Sequence, residues 1–147
     1  MPKNYLLDSN ILVHMVRESA LADYVRQTYQ PLLADPRPAI SVVTEGELRS
    51  LAIQWNWGAR KKDQMRFYLQ FFLRVPVDSA IVFEAYEAID AYSESVGRTM
   101  GKNDLWIAAA ASAMNATLIT TDKDFDHLQP KHIPAVDWID PEQFREP

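Results

Sequence analysis

Length, composition and charge already narrow what this chain can be. Its 147 residues are 48% hydrophobic, which suffices for one core, so we treat residues 1–147 as a single domain. Cysteine is absent, which excludes a disulfide framework and a thiolate metal site. We see no signal-peptide cleavage site and no window with the roughly 20 apolar residues of a membrane span, so we expect a soluble, cytoplasmic protein. The net charge of −5 argues at first against a nucleic-acid ligand.

Apolar runs alternate with segments of helical periodicity along the chain. In chain order they predict a strand at 4–7, helices at 10–16 and 20–30, a strand at 39–43, helices at 44–56 and 60–73, an edge strand at 75–77, helices at 79–96 and 103–114, and strands at 116–120 and 135–139. Pro76 weakens the edge strand, and Asp78 is placed to cap the helix that follows it. Continuously apolar strands between helices indicate a parallel sheet covered on both faces. The predicted fold class is therefore α/β, a three-layer α/β/α domain with a central, mostly parallel sheet of four to five strands.

Four acidic residues fall where a ligand site is expected in such a fold. In open α/β sheets the ligand crevice lies at the carboxyl ends of the strands, beside the first turns of the following helices. Asp8 ends the first strand and Asp122 follows the third apolar run. Glu47 and Asp104 are each predicted in the first turn of a helix. The four carboxylates are therefore expected at one edge of the sheet.

Each of these acids also has a purely structural interpretation. Asp8 would cap a helix, and Asp104 would interact favourably with a helix dipole. Thr44 with Glu47 matches a capping box, and Asp122 would form an Asx turn. As a group they are harder to explain, because two like charges roughly 4 Å apart cost about 4 kcal/mol at an effective dielectric of 20. A bound divalent cation offsets this repulsion, and capping requires no such gathering.

The ligand types indicate which cation would bind. Carboxylate oxygens suit Mg²⁺, with Mn²⁺ as a substitute, whereas zinc prefers His and Cys. His14, His127 and His132 are scattered along the chain, and we interpret them as surface or packing residues. A magnesium site can polarise a phosphoryl oxygen and activate water, so phosphodiester hydrolysis fits. We therefore assign Asp8, Glu47, Asp104 and Asp122 as both metal ligands and catalytic residues.

Basic residues are concentrated in one segment. Between Arg49 and Arg74 there are six basic residues and one acid, a local charge of +5, so the rest of the chain carries −10. One face of the molecule is therefore expected to attract an anionic chain, and Arg60, Lys61 and Lys62 are candidate substrate contacts. The alternative is a solvated helix face.

The same segment is rich in aromatic residues. Trp55 and Trp57 would stack on RNA bases or bind the helix of a partner protein. More often such residues belong to the core, and we expect Phe67, Phe71 and Leu48 to pack inward.

Four short blocks contain the four acids: LLDSNIL at 6–12, TEGEL at 44–48, NDLWIAAAA at 103–111 and TLITTDKDF at 117–125. In this order they resemble the motif blocks of PIN-domain nucleases, in particular the VapC-type toxins of bacterial and archaeal toxin–antitoxin pairs. The resemblance implies a PIN-like fold and a metal-dependent endoribonuclease that acts as the toxin of a type II pair. It also implies an RNA substrate, a VapB-like antitoxin partner and a homodimer. Polar neighbours that would orient carboxylates or water are Ser9, Asn10, Asn103 and Thr120 or Thr121.

Two blocks contain a second acid. In the family pattern the acid directly precedes Leu, which selects Glu47 over Glu45. Asp124 competes with Asp122, and we expect Asp124 to point to solvent or to cap the turn at Phe125.

Two other functions were weighed. A haloacid-dehalogenase-like phosphatase normally has a second Asp two residues after the first, and here that position is Asn10. No suitably placed lysine follows. A non-catalytic, cation-binding PIN-like interaction module would keep the acids for stability alone.

Overall fold

A central sheet of five strands organises the computed structural model, which describes residues 3–145. The outer ends of the predicted domain, residues 1–2 and 146–147, lie outside the described residues. The strands are β1 (Tyr5–Leu7), β2 (Ala39–Ser41), β3 (Leu73–Val75), β4 (Thr117–Thr120) and β5 (Val136–Trp138). Their order is β3-β2-β1-β4-β5, and all neighbouring strands are parallel. This arrangement confirms the predicted fold class.

Six α-helices cover both faces of this sheet. They are α1 (Ser9–Arg17), α2 (Ala20–Tyr29), α3 (Val42–Gln54), α4 (Ala59–Phe71), α5 (Ala80–Ser95) and α6 (Lys102–Ala113), with short 3₁₀ helices at Lys123–Leu128 and Pro141–Phe144. Successive strand residues point to opposite faces. Accordingly Leu7 packs into the core formed with α1 to α4, while Leu6 packs into the core formed with α5 and α6. The molecule therefore has three layers.

The strand order places a topological switch point at the centre of the sheet. From β1 the chain proceeds to β2 and β3 on one side, and it later returns to β4 and β5 on the other. In β1 and β4, Leu7 pairs with Ile119, so Asp8 and Thr120 emerge side by side at the carboxyl edge. Ligand crevices form at such points.

A run of alanines brings α6 close to the sheet. Ala108, Ala109, Ala110 and Ala111 are all buried, and α6 contacts α5, β1, β2 and β4. Small side chains allow this close approach, because no branched side chain has to fit between helix and sheet. The approach brings the first turn of α6, with Asp104, toward the carboxyl edge.

Helix α3 starts earlier than predicted. The strand expected over 39–43 ends at Ser41, whose hydroxyl accepts a hydrogen bond from the Val43 backbone N–H and caps the helix. The capping box of Thr44 with Glu47 is therefore wrong, and Glu47 lies in the second helical turn. Val42 and Val43 favour strands by propensity, and the serine cap overrides that preference.

Two details near the edge strand also differ from expectation. The edge strand spans Leu73–Val75 and ends immediately before Pro76, which has no N–H to donate to a ladder. The cap of α5 is Ser79, whose side chain accepts from the Val82 N–H, so the assignment of Asp78 was wrong.

The aromatic residues of α4 divide between core and surface. Leu48 is fully buried and Phe71 packs partly against the same core, as expected. Phe67 is 49% exposed, so its inward placement was wrong. Phe67 instead stacks on Phe71 at the helix surface. Among the helices of residues 3–145, none has both the length and the apolar composition needed to cross a membrane.

Candidate functional site

A cleft of about 260 Å³ opens at the carboxyl ends of β1 and β4. Its wall includes all four predicted acids together with two of their predicted polar neighbours and four other side chains: Asp8, Ser9, Asn10, Val13, His14, Glu47, Leu51, Trp55, Asp104 and Asp122. The acids come from four separate elements of the chain. The fold therefore brings together residues that are more than 100 positions apart in sequence.

Asp8 is the most firmly held of these acids. It caps α1, and its Oδ1 accepts the Ser9 backbone N–H at 2.7 Å. Its Oδ2 accepts from Asn10 Nδ2 at 3.0 Å and from the Thr120 hydroxyl at 2.7 Å. Asp8 is only 4% exposed, and this burial raises its pKa to about 6 against the opposing effect of the Thr120 and Ser9 hydrogen bonds. The carboxylate is thus fixed in position and costly to ionise without a cation.

Thr120 connects two of the acids. Its hydroxyl donates to Asp8 Oδ2 and accepts the Asp122 backbone N–H at 3.0 Å. Asn10 makes a second connection, because its Oδ1 accepts the Thr121 N–H at 3.2 Å. These contacts tie the segment after β4 to the start of α1.

Glu47 is oriented by two hydroxyl groups. Ser9 Oγ donates to Glu47 Oε1 at 2.7 Å, and Ser9 Oγ lies 2.9 Å from Thr44 Oγ1. Ser9 has one hydroxyl hydrogen, so Thr44 is the donor in the second contact. Thr44 is fully buried. The sequence did not predict its hydrogen bond to Ser9, because the capping-box pattern already gave Thr44 another role.

Asp104 experiences the strongest crowding. It stands in the first turn of α6, where the helix dipole favours a negative charge. Burial nevertheless raises its pKa to about 7, and the charges of Asp8, Asp122, Glu47 and Asp124 add to this rise. Burial and repulsion together therefore exceed the effect of the helix terminus on the pKa of Asp104.

Asp124 belongs to the same acidic group. Oxygens of Asp104, Asp122 and Asp124 all lie within 4.8 Å of one another. Asp124 is exposed, as expected, but its backbone N–H also donates to Asp122 Oδ1 at 2.9 Å and holds that carboxylate. The Asx turn predicted at Asp122 is therefore confirmed. The sequence feature that could have indicated that Asp124 joins the acidic group is its position two residues after Asp122 in TTDKDF.

Glu45 lies apart from this group. It forms ion pairs with Arg49 at 2.9 Å and with Arg74 at 2.8 Å, beside a separate cleft on the α3, α4 and β3 side. Of the two acids in the TEGEL block, Glu47 is thus the one that faces the acidic cleft.

The remaining predicted contacts lie outside the cleft. Asn103 lines an adjoining cleft of about 420 Å³ that shares Glu47 and Leu51 with the acidic one. Arg60 forms an ion pair with Glu18 at 3.3 Å, and Lys61 lies beside it. Lys62 is partly buried on α4. Among the described residues, none of these three cations lines the acidic cleft.

Trp55 and Trp57 have different environments. Trp57 is 5% exposed and belongs to the core. The expectation that Trp57 presents a surface to a partner was therefore wrong. Trp55 is 44% exposed and lines the acidic cleft.

The donor set fits a hard divalent cation. Carboxylate oxygens from α6 and from the segment after β4 converge near Asp104, and the hydroxyl groups of Thr120 and Ser9 orient Asp8 and Glu47. Such oxygen-rich groups suit Mg²⁺ or Mn²⁺. Burial, with the charges of neighbouring acids adding to it, raises the pKa values of Asp8 and Asp104, and a bound cation would oppose this rise.

The sequence pattern of the family described as PIN domain matches residues 5–131. The chain belongs to the PIN domain family. Within this family it is similar to Ribonuclease VapC1 of Haemophilus influenzae strain R2866, with 29% identity over 130 residues, covering 84% of this chain and 91% of that protein. The corresponding protein of strain KW20 is 28% identical over the same length. These relatives confirm the VapC-type resemblance of the four sequence blocks.

Several solved structures show the same fold. VapBC2 from Rickettsia felis, bound to a promoter DNA fragment, aligns with a TM-score of 0.75 at 24% identity, covering 92% of this chain and 99% of that chain. VapBC-1 from nontypeable Haemophilus influenzae aligns with a TM-score of 0.72 at 24% identity, covering 92% and 98%. FitAcB from Neisseria gonorrhoeae aligns with a TM-score of 0.67 at 23% identity, covering 90% and 96%.

Proposed function

We propose that this PIN domain protein is an endoribonuclease that uses Mg²⁺, with Mn²⁺ as a substitute, and acts as the toxin of a type II toxin–antitoxin pair. The observation that carries the proposal is the convergence of Asp8, Glu47, Asp104 and Asp122 in one cleft. The name Ribonuclease VapC1, given to the Haemophilus influenzae relatives, supports RNA as the substrate.

When bound among these oxygens, a divalent cation polarises a phosphoryl oxygen and makes a water molecule more acidic. The protein's part is to hold its carboxylates in place. Asp8 is fixed by the α1 cap and by Thr120, and Glu47 is fixed by Ser9. Asp104 and Asp122, with Asp124 beside them, complete the group of acids. Fixed negative oxygens are effective because they need no reorganisation during the reaction.

RNA cleavage by the purified protein tests this function. A fluorescent single-stranded RNA is incubated with the protein and Mg²⁺, Mn²⁺ or EDTA. We expect cleavage with either cation, none with EDTA, and a loss of at least about 100-fold for Asp8→Asn. Asp63→Asn is the matched control, because Asp63 is an exposed acid on α4 that pairs only with Arg66 among the described residues. Its activity should equal that of the unmodified protein.

The alternatives predict other outcomes. If the protein cleaves no RNA above the level of Asp8→Asn at any metal concentration, the non-catalytic PIN-like module replaces the nuclease. The phosphatase has less support, because Asn10 is engaged in holding Asp8 and Thr121 instead of providing a second acid.

A VapB-like antitoxin and a homodimer complete the proposal. The structural similarity to VapBC-5 from Mycobacterium tuberculosis, a member of the VapBC family of toxin–antitoxin systems, supports the antitoxin partner, and the resemblance to VapC-type toxins supports the homodimer. If a short reading frame adjoins this gene, co-expression of its product with this protein should give a stable complex that cleaves no RNA. The mass of this protein alone, measured by light scattering, should correspond to two copies. A monomeric mass together with the absence of a complex with the co-expressed chain would contradict both statements.

A further inference from the structure

Trp55 occupies an unusual position for an exposed aromatic residue. It follows the last residue of α3 and lines the acidic cleft together with Asp8, Glu47 and Asp104. Its side chain is 44% exposed, although burial of a tryptophan is strongly favourable. The indole is therefore an apolar surface directly beside the site where a phosphodiester would be cleaved.

The indole of Trp55 is held in place by two neighbouring side chains. The guanidinium carbon of Arg17 lies 4.4 Å from the ring centroid. The buried Trp57 supports it at a centroid distance of 6.1 Å and an interplanar angle of 55°. A cation over an indole face is a favourable contact that orders both side chains. The ring of Trp55 is thus a preordered surface, which reduces the entropy lost when a ligand stacks on it.

A group of basic residues adjoins Trp55 through Arg17. Arg17 also lines a small neighbouring cleft with Arg60 and Lys61, where Glu18 is the only acid lining it. Glu18 is already paired with Arg60. The path from the acidic cleft therefore runs past Trp55 to a surface where cations outnumber acids three to one. Phosphates flanking a cleaved bond would be repelled by the acids and attracted to this surface.

We propose that Trp55 is a base-stacking residue for single-stranded RNA next to the cleaved bond, and that Arg17 and Lys61 contact the backbone phosphates beyond it. The inference rests on the proposed ribonuclease function and names how its substrate is held. Aromatic stacking with flanking cations is the usual way in which proteins hold unpaired nucleotides. A stack of this kind tolerates any base, so the expected preference is for unpaired RNA and not for a sequence.

Binding of a fluorescent eight-nucleotide RNA, measured by anisotropy in EDTA so that no cleavage occurs, tests the inference. Trp55→Ala should weaken binding about tenfold, whereas Trp55→Phe should keep most of it. Arg17→Ala and Lys61→Ala should each reduce the slope of log K against log salt by about 0.7, while Trp55→Ala should leave that slope unchanged. An RNA with abasic positions should bind the unmodified protein and Trp55→Ala equally.

The matched control is Phe83→Ala. Phe83 is an exposed aromatic on α5, 50% accessible and outside the cleft, so RNA binding should not change. Thermal melting identifies any variant that fails to fold. If Trp55→Ala does not fold, RNA binding of Trp55→Phe is compared with that of the unmodified protein. If folded Trp55→Ala binds RNA as the unmodified protein does, the inference is overturned, including the case in which only capture of an antitoxin is lost.

The two proposals can fail separately. RNA cleavage that is lost in Asp8→Asn but equal in Trp55→Ala would retain the nuclease and overturn the stacking residue. Binding that depends on Trp55, in a protein that cleaves no RNA with any cation, would retain the RNA contact and overturn the nuclease.

Discussion

Side-chain length explains how Asp8, Asp122 and Glu47 are positioned. Asp8 is placed by the backbone, because one oxygen caps the helix that begins at the next residue. Asp122 is held in the same way by the Asp124 N–H. Glu47 has an additional methylene and sits one turn inside α3, so its carboxylate requires the Ser9 and Thr44 hydroxyls. Short acids are fixed by local turns, and the long one is fixed by a hydrogen-bond chain.

At the residue scale, removing one charge from the cleft should stabilise the metal-free protein. Asp104 carries a raised pKa because of burial and four neighbouring acids, so its ionised form destabilises the native state at pH 7.5. Asp104→Asn should therefore raise the free energy of unfolding in EDTA by about 1 kcal/mol, a value reduced for solvent screening of this half-buried group. Thermal or urea melting measures the change.

The exposed Asp63→Asn provides the comparison for this measurement. Asp63 pairs with Arg66 at the surface, so its loss should leave the stability almost unchanged. Equal or lower melting of Asp104→Asn in EDTA would show that the acids do not repel as described.

At the element scale, α6 depends on its small side chains. Ala109 is fully buried, and α6 contacts β1, β2, β4 and α5. Ala109→Leu should cost about 1 to 3 kcal/mol through overpacking. It should also reduce RNA cleavage, because displacing α6 moves Asp104 away from the other acids. Urea melting and the RNA cleavage assay measure the two effects.

Ala88→Leu tests whether the effect is specific to the sheet contact. Ala88 is exposed on α5, so the same substitution there meets solvent. Stability and cleavage should both remain near those of the unmodified protein. A well-packed, fully active Ala109→Leu variant would mean that the alanine run has no part in placing Asp104.

Much of this arrangement could be predicted from the sequence, and the misses have physical causes. The continuous apolar strands indicated a parallel sheet, and therefore the edge at which Asp8 and Asp122 emerge. The start of α3 was misplaced because Val42 and Val43 favour strands, and the cap at Ser41 became visible only in three dimensions. Strand order follows from long-range packing, which local patterns do not contain. Phe67 was misplaced because periodicity alone does not show how wide a buried stripe is.

At the scale of the whole molecule, the placement of charge differs from the sequence-based picture. The basic segment was expected to form one anion-binding face. Instead Arg49 and Arg74 hold Glu45, and Arg66 holds Asp63. Arg17 lies over Trp55, and the small cleft that Arg17 lines also contains Arg60 and Lys61 from the predicted segment. Ion pairing, which depends on the fold, decides which charges remain available.

Metal binding and pH should be linked in the intact protein. The pKa values of Asp8 and Asp104, about 6 and about 7, exceed their unfolded value of 3.8. The native state therefore binds more protons between about pH 4 and 7, and the stability contributed by these groups is lost as pH rises through that window. Mg²⁺ requires ionised carboxylates, so its stabilising effect should grow over the same window.

Differential scanning fluorimetry at pH 5 and pH 8 measures this linkage. At about 100 times its dissociation constant at pH 8, Mg²⁺ should add about 2.7 kcal/mol to the native state. The same concentration at pH 5 should add much less. Asp8→Asn should reduce the gain at pH 8, and a gain that is equal at both pH values would refute the linkage.

Asp8 caps α1 and also lines the acidic cleft. These two roles limit which residues can replace it in the LLDSNIL block. Asparagine keeps an oxygen for the Ser9 N–H, but its amide group replaces the oxygen that accepts from Asn10 and Thr120. The resulting protein should therefore keep the α1 cap and fold, lose those two hydrogen bonds and be inactive. Glutamate keeps the charge, but its longer side chain carries the carboxyl group beyond the helix start. Asp8→Asn is therefore suitable for capturing an uncut RNA on a folded, inactive protein. Asp8→Glu keeps the charge but changes the geometry of the site more.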